Sequence, residues 1–186
     1  MNVSFQNQRS MENAQIIEKL EQAIAQLLEH ELNILQRGLN ELNLNGHLVR
    51  YLHPLFPGYQ VEAEYNGDIF KVKDRKEIEI AKRRMQDIGL DPSDSNAYNL
   101  TPDIIIHIRN SNEHNILILE IKKDSNAARN KAFDLLKLEH MTIDYQGNHY
   151  NYQLGAAIIF GTGDNAGTHE IGYFYQGISK DKAQLI

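Results

Sequence analysis

The chain has no cysteine among its 186 residues, which excludes disulfides and thiolate metal centres and fits a reducing cytoplasm. It also lacks any apolar run approaching the roughly 20 residues that span a bilayer. Its opening segment, Met1 to Ser10, is polar and has no signal-peptide core. The expectation is a cytoplasmic protein without membrane contact. Positive charge is in deficit as well: Lys and Arg number 19 against 25 Asp and Glu, a formal net charge of −6. A uniformly basic coat for nucleic acid is thereby excluded. The length suits one domain with a sizeable core and is too short for two ordinary ones.

What the chain does have is concentrated between residues 101 and 123. Thr101-Pro-Asp-Ile-Ile-Ile-His-Ile-Arg109 and Ile116-Leu-Ile-Leu-Glu-Ile-Lys-Lys123 are apolar, β-branched runs joined by the polar Asn110-Ser-Asn-Glu-His-Asn115. This pattern predicts a β-hairpin that carries acidic groups into a buried sheet. A period of 2 puts Ile116, Ile118, Glu120 and Lys122 on one face and Leu117, Leu119 and Ile121 on the other. A turn centred near residues 112–113 brings Asp103 within one register step of Glu120.

Two carboxylates and an ammonium at one point suit phosphodiester hydrolysis with a hard divalent cation. Mg²⁺ takes oxygen ligands in an octahedron and keeps several waters, so Asp103, Glu120 and the Ile121 carbonyl leave room for water and a phosphate oxygen. Lys122 would lower the pKa of the attacking water and offset charge in the transition state. An Asp at a strand start and a Glu-x-Lys at a strand end also describe solvated sheet edges. The hairpin alone leaves both readings open.

Pro102-Asp103, a spacer and Glu120-Ile121-Lys122 resemble the signature of the PD-(D/E)XK nuclease superfamily. More of the chain agrees: Asn40-Glu41, Leu48-Val-Arg-Tyr-Leu52, Val61-Glu-Ala-Glu-Tyr-Asn66, Asp134-x-x-Lys-Leu138 and Tyr152-x-Leu-Gly155 follow the order of one small bacterial subgroup. The likeness covers residues 39–162, with departures at Gly67 and Thr101, where the subgroup's pattern has arginine. It implies a restriction-endonuclease-like α/β fold, a mixed sheet flanked by helices, with Mg²⁺ or Mn²⁺ as cofactor and DNA as the default substrate. It also implies that Glu41, on the first core helix, joins Asp103, Glu120 and Ile121 around the metal. Glu64, on a strand beside the site, becomes a reserve ligand or water-organising group, and Lys137 a phosphate contact. Read from the residues alone, Glu41 in a first helical turn is equally a capping carboxylate, and Asp134 with Lys137 an ordinary i,i+3 surface pair.

Elsewhere, a helical pattern runs from Ser10 to Gly38 through Ile17, Leu20, Ile24, Leu27, Leu28, Leu32 and Leu35. It forms a long N-terminal helical extension, residues 1–38, before a nuclease-like domain at 39–186. Its heptad-like start could pair two copies as a homodimer, or the helix could cover the sheet of its own chain. Further helices are predicted over Leu39–His53 and Asp124–Met141, and strands over Tyr59–Tyr65, Tyr152–Phe160 and Glu170–Tyr175. Residues 67–100 read as an insertion with a helix from Asp74 to Ile88. Within it, residues 71–84 carry seven basic and three acidic side chains, so Lys82, Arg83 and Arg84 become candidates for phosphate contact, or a solvated helix face. Gly161-Thr-Gly-Asp-Asn-Ala-Gly167 lacks the end of a P-loop and reads as a strand-joining turn. Three readings of function follow: a metal-dependent nuclease, a nuclease fold used as a binding or assembly subunit, or a metal-dependent hydrolase of small phosphodiesters.

Overall fold

The computed structural model describes residues 11–65, 77–92, 97–144 and 148–186. The N-terminal segment 1–10, Gly67, the basic positions 71–76 and the loop residues 93–96 lie outside them.

Three helices open the chain: α1 (Asn13–His30), α2 (Leu32–Gln36) and α3 (Glu41–Leu52). Helix α1 buries Ile17, Leu20, Ile24 and Leu27 of the stripe read from the sequence, together with Ile16 and Ala23, while Leu28 is only partly buried. The predicted continuous helix to Gly38 is interrupted at Glu31, whose backbone leaves helical geometry at φ −123° and ψ 21°. Its carboxylate is drawn instead to α3, 2.7 Å from Arg50 Nη2 and 3.1 Å from the Tyr51 hydroxyl and His47 Nδ1. Gly38, in the left-handed region at φ +61°, ends the segment as a residue without a Cβ does at no steric cost. Asn40 then caps α3, its side chain accepting from the Asn43 N–H at 3.1 Å.

Six strands form one mixed sheet: β1 (Gln60–Ala63), β4 (Ile104–His107), β5 (Leu117–Lys123), β6 (Leu154–Phe160), β7 (His169–Tyr175) and β8 (Ile178–Lys180), in the spatial order β1-β4-β5-β6-β7-β8. Among the described strands only β5 and β6 run parallel, and helix α5 (Ala128–Met141) supplies the crossover that such a pair needs. Two short strands, β2 (Glu77–Glu79) and β3 (Ala97–Asn99), pair separately with helix α4 (Lys82–Asp87) between them. Here the predicted Asp74–Ile88 helix is corrected. Residues 77–80 alternate Glu-Ile-Glu-Ile, a strand period, and the buried Asn148 side chain accepts from the Glu79 N–H at 2.9 Å.

The sheet is covered on both sides. On one, Ile104, Ile106, Leu117, Leu119, Ile121, Leu154 and Ile158 pack with the apolar faces of α1 and α3. On the other, Ile105, Ile118 and Phe174 pack with Leu136, Leu138 and Met141 of α5 and with Met85 of α4. This is a mixed α/β sandwich of helix, sheet and helix layers. Among the described residues no helix is long and apolar enough to cross a membrane.

The stripe of α1 is therefore spent inside the chain's own core, where Ile24 is 1 % exposed. Ile24→Ala is expected to lower unfolding free energy by about 2–5 kcal/mol, read as a shifted urea midpoint with no change in sedimentation. An unshifted midpoint would remove α1 from the core that supports the site.

Candidate active site at the end of the hairpin

The site begins with the strand register. Ile104 lies opposite Leu119, so Asp103, one residue before β4, faces Glu120 on the side of the sheet that α5 covers. Asp103 is held from two directions. Its Oδ2 accepts the Ile121 N–H at 2.6 Å, and its Oδ1 accepts from Asn45 Nδ2 of α3 at 3.2 Å. Asn45 follows Glu41 by one helical turn, so one face of α3 delivers both side chains to the end of the hairpin.

Lys122 extends into this cluster. Its Nζ stands 3.3 Å from Glu41 Oε2, 3.7 Å from Asp103 Oδ2, 3.1 Å from Asp134 Oδ2 and 3.2 Å from the Ile121 carbonyl. Glu41 is steadied on its other oxygen by Asn126 Nδ2 at 2.8 Å, while the Asn126 side-chain Oδ1 accepts the Lys123 N–H at 2.6 Å. Helix α5 completes the group: Lys137 Nζ bridges Glu120 Oε2 and Asp134 Oδ1, each at 2.7 Å. Glu120 is the deepest member, at 2 % exposure, whereas Glu41 retains 26 %. The cluster opens to solvent on the Glu41 side.

Burial pushes the Glu120 carboxyl well above the usual carboxylate range; Lys137 opposes this, and the charges of Asp134 and Asp103 add to it. Burial works against the Lys122 charge too, but Asp103, Asp134 and Glu41 hold its ammonium above the ordinary lysine pKa. The surrounding acids thus favour the charged form of Lys122. Lys137, paired with Glu120 and Asp134, is likewise shifted upward against its burial.

The structure brings together Glu41, Asp103, Glu120, Lys122 and Lys137, five of the residues singled out from the sequence. Glu64 stays outside: its side chain is exposed, although its backbone N–H donates to the Asp103 carbonyl at 3.1 Å with φ at +53°. Lys82, Arg83 and Arg84 sit on α4 and do not enter the cluster; Arg84 Nη2 pairs with Glu139 of α5 at 2.5 Å. Asn45, Asn126 and the central position of Asp134 were missed. The i,i+4 spacing of Glu41 and Asn45 is the signal that could have found one of them.

Whether a divalent cation suits this set is decided by charge and by the state of the oxygens. Four carboxylates, Glu41, Asp103, Glu120 and Asp134, meet two ammoniums, so two negative charges remain when all are ionised. Glu120 Oε1 and Asn45 Oδ1 are buried without a hydrogen-bond partner, a condition usually relieved by water or an ion. All four acids offer hard oxygen donors, the ligand type that Mg²⁺ and Mn²⁺ take. As the side chains stand, no group of three or more His, Asp or Glu among the described residues is arranged to hold a metal ion, because the acids converge on lysine nitrogens. Compared with known proteins, the chain matches no family model, no curated protein and no solved structure.

Removing one ammonium tests this balance. Lys137→Met leaves Glu120 buried without its cation, a loss of about 3–5 kcal/mol when the carboxylate is ionised. Glu120, already raised by burial in the wild type, then binds its proton still more tightly in the folded state. The variant's deficit in thermal stability should therefore vanish below the unfolded pKa of about 4.3 and grow as pH rises through neutrality. A pH-independent deficit would detach Lys137 from Glu120.

Proposed function

We propose that this protein is a divalent-cation-dependent nuclease with a restriction-endonuclease-like fold that hydrolyses phosphodiester bonds, most of all in DNA. The observation that carries the reading is the joining of Asp103 and Glu120 across one sheet register step, with Lys122 beside Asp103 at 3.7 Å. Asp103, Glu120, Glu41 and the Ile121 carbonyl would hold the Mg²⁺ or Mn²⁺, which supplies Lewis acidity toward a phosphate oxygen and acidifies water.

The chain's own groups have distinct tasks. Asn45 and the Ile121 N–H fix the Asp103 carboxylate, so its orientation is set before substrate arrives. Lys122 stabilises charge that develops on the non-bridging phosphate oxygens and on the attacking oxygen. Asn126 aims Glu41, the most exposed carboxylate of the set, at the solvent side where a nucleophilic water would be held. Lys137 keeps Glu120 in place from beneath. Lys82 and Arg83, exposed on α4, are suited to diffuse phosphate contact; Arg84 is tied to Glu139, and Glu64, exposed just after β1, has less direct use.

A second reading has one observation in its favour: each lysine of the cluster is already paired with acids. On that reading the group is a structural ionic lock in a binding or assembly subunit, and nothing is cleaved. Incubation with plasmid, linear duplex, single-stranded DNA and RNA in Mg²⁺, Mn²⁺ or chelator separates the two. Lys122→Met is expected to lower turnover by about 10²-fold or more with DNA affinity nearly unchanged, while Asp103→Asn loses metal affinity and recovers in part at raised Mn²⁺. Equal activity of wild type and both variants would rule out the nuclease. Alanine at Lys82, Arg83 and Arg84 should weaken binding of all sequences alike and flatten its salt dependence. An unchanged slope leaves α4 as a solvated face.

A further inference from the structure

Lys122 is more than a neighbour of the acidic cluster, because its ammonium lies at the point toward which the oxygens converge. Four oxygens surround it at 3.1–3.7 Å: the Ile121 carbonyl, Glu41, Asp103 and Asp134. Three of these belong to the ligand set inferred for the divalent ion. Such distances suit N–H donors, but Mg²⁺ binds oxygen at about 2.0–2.1 Å and carries twice the charge. A dication and an ammonium cannot share that ring, since like charges a few ångströms apart repel strongly in a partly buried site. The buried, unpartnered Glu120 Oε1 shows that the set has acceptor capacity the ammonium does not use.

We propose that the Lys122 ammonium is an internal stand-in cation that a divalent metal must displace, and that Asp134 is the positioning residue that retains the displaced ammonium. This rests on the nuclease reading of the site. Asp134 is suited to the task because it is the one carboxylate of the ring contributed by α5, opposite the α3 side from which Glu41 enters. Its other oxygen is already anchored on Lys137 at 2.7 Å. The exchange keeps Lys122 beside the reacting phosphate while vacating the metal position. It also means that the unloaded site offsets part of its own negative charge, so that metal affinity is set as much by Lys122 as by the acids.

Mn²⁺ alone is the probe, followed by calorimetry and by the EPR signal of the free ion, without substrate. Lys122→Met should bind Mn²⁺ about tenfold or more tighter than wild type, whereas Lys122→Arg, which keeps the charge, should bind no tighter than wild type. Asp134→Asn should weaken Mn²⁺ binding in the wild-type background and change it less than about twofold in the Lys122→Met background. Should Lys122→Met unfold in chelator, Mn²⁺ must restore its folding; a variant still unfolded at saturating Mn²⁺ overturns the proposal. Wild type that binds Mn²⁺ while Lys122→Met binds it equally or more weakly also overturns it, and leaves the nuclease reading intact. An undiminished Asp134→Asn effect without Lys122 would make Asp134 a ligand and overturn its retaining role. No Mn²⁺ binding by any variant would remove the metal site itself.

Discussion

The pairing of β4 with β5 is the constraint on which everything else hangs. With Ile104 opposite Leu119 and Ile105 opposite Ile118, one set of side chains feeds the α1–α3 layer and the alternate set feeds the α5 layer. A shift of one residue would turn Asp103 into the apolar space beneath α3 and Ile104 into the polar cluster. Both faces are buried, so no such shift is tolerated. The Asp103 carboxylate then takes the Ile121 N–H that a longer β4 would have bonded through its backbone. Strand end and site are built by the same side chain.

Around that hairpin the fold rests on its apolar layers, not on its charges. Ion pairs buried this deeply return little or no net stability against hydrophobic groups of the same volume, because desolvation offsets attraction. The cluster is nonetheless fully assembled from three separate elements, with Asn45 and Asn126 committed to orienting two of its acids. Retaining so many charges among Ile105, Ile118 and Leu136 is uneconomical for packing alone. That asymmetry is the physical ground for reading the cluster as chemistry.

Much of this was legible in the amino-acid order. The hairpin announced itself through two β-branched runs around a polar turn, and its period of 2 placed Glu120 and Lys122 on one face with Asp103 within a register step; that α5 covers this face came from the structure. Ile116 broke the pattern: it precedes β5 and packs with the α1–α3 layer. Helices α3 and α5 showed their apolar stripes. The interruption at Glu31 did not show, because its cause is a trio of partners on α3, some twenty residues along the chain. Strand β2 was hidden by its three-residue length and a distant partner, β3. Asp134 and Lys137 were visible as an i,i+3 pair, but that spacing is identical on a wet surface and in a buried cluster. Only the placement of α5 against β5 distinguishes the two.

The cluster also joins parts of the chain far apart in sequence. Lys122 meets Glu41 across 81 positions, while Lys137 meets Glu120 across only 17. Closing the longer loop is the larger entropic step, so the hairpin and α5 can pair their charges early, before α3 docks. Glu120 is then already matched by Lys137 as the sheet loses water. Lys122 can pair with Asp134 of α5 in the same step and gains Glu41 only when α3 docks. The order of assembly thus leaves the most solvent-open pair, Lys122 with Glu41, as the final seam to close and the first to reopen in local unfolding.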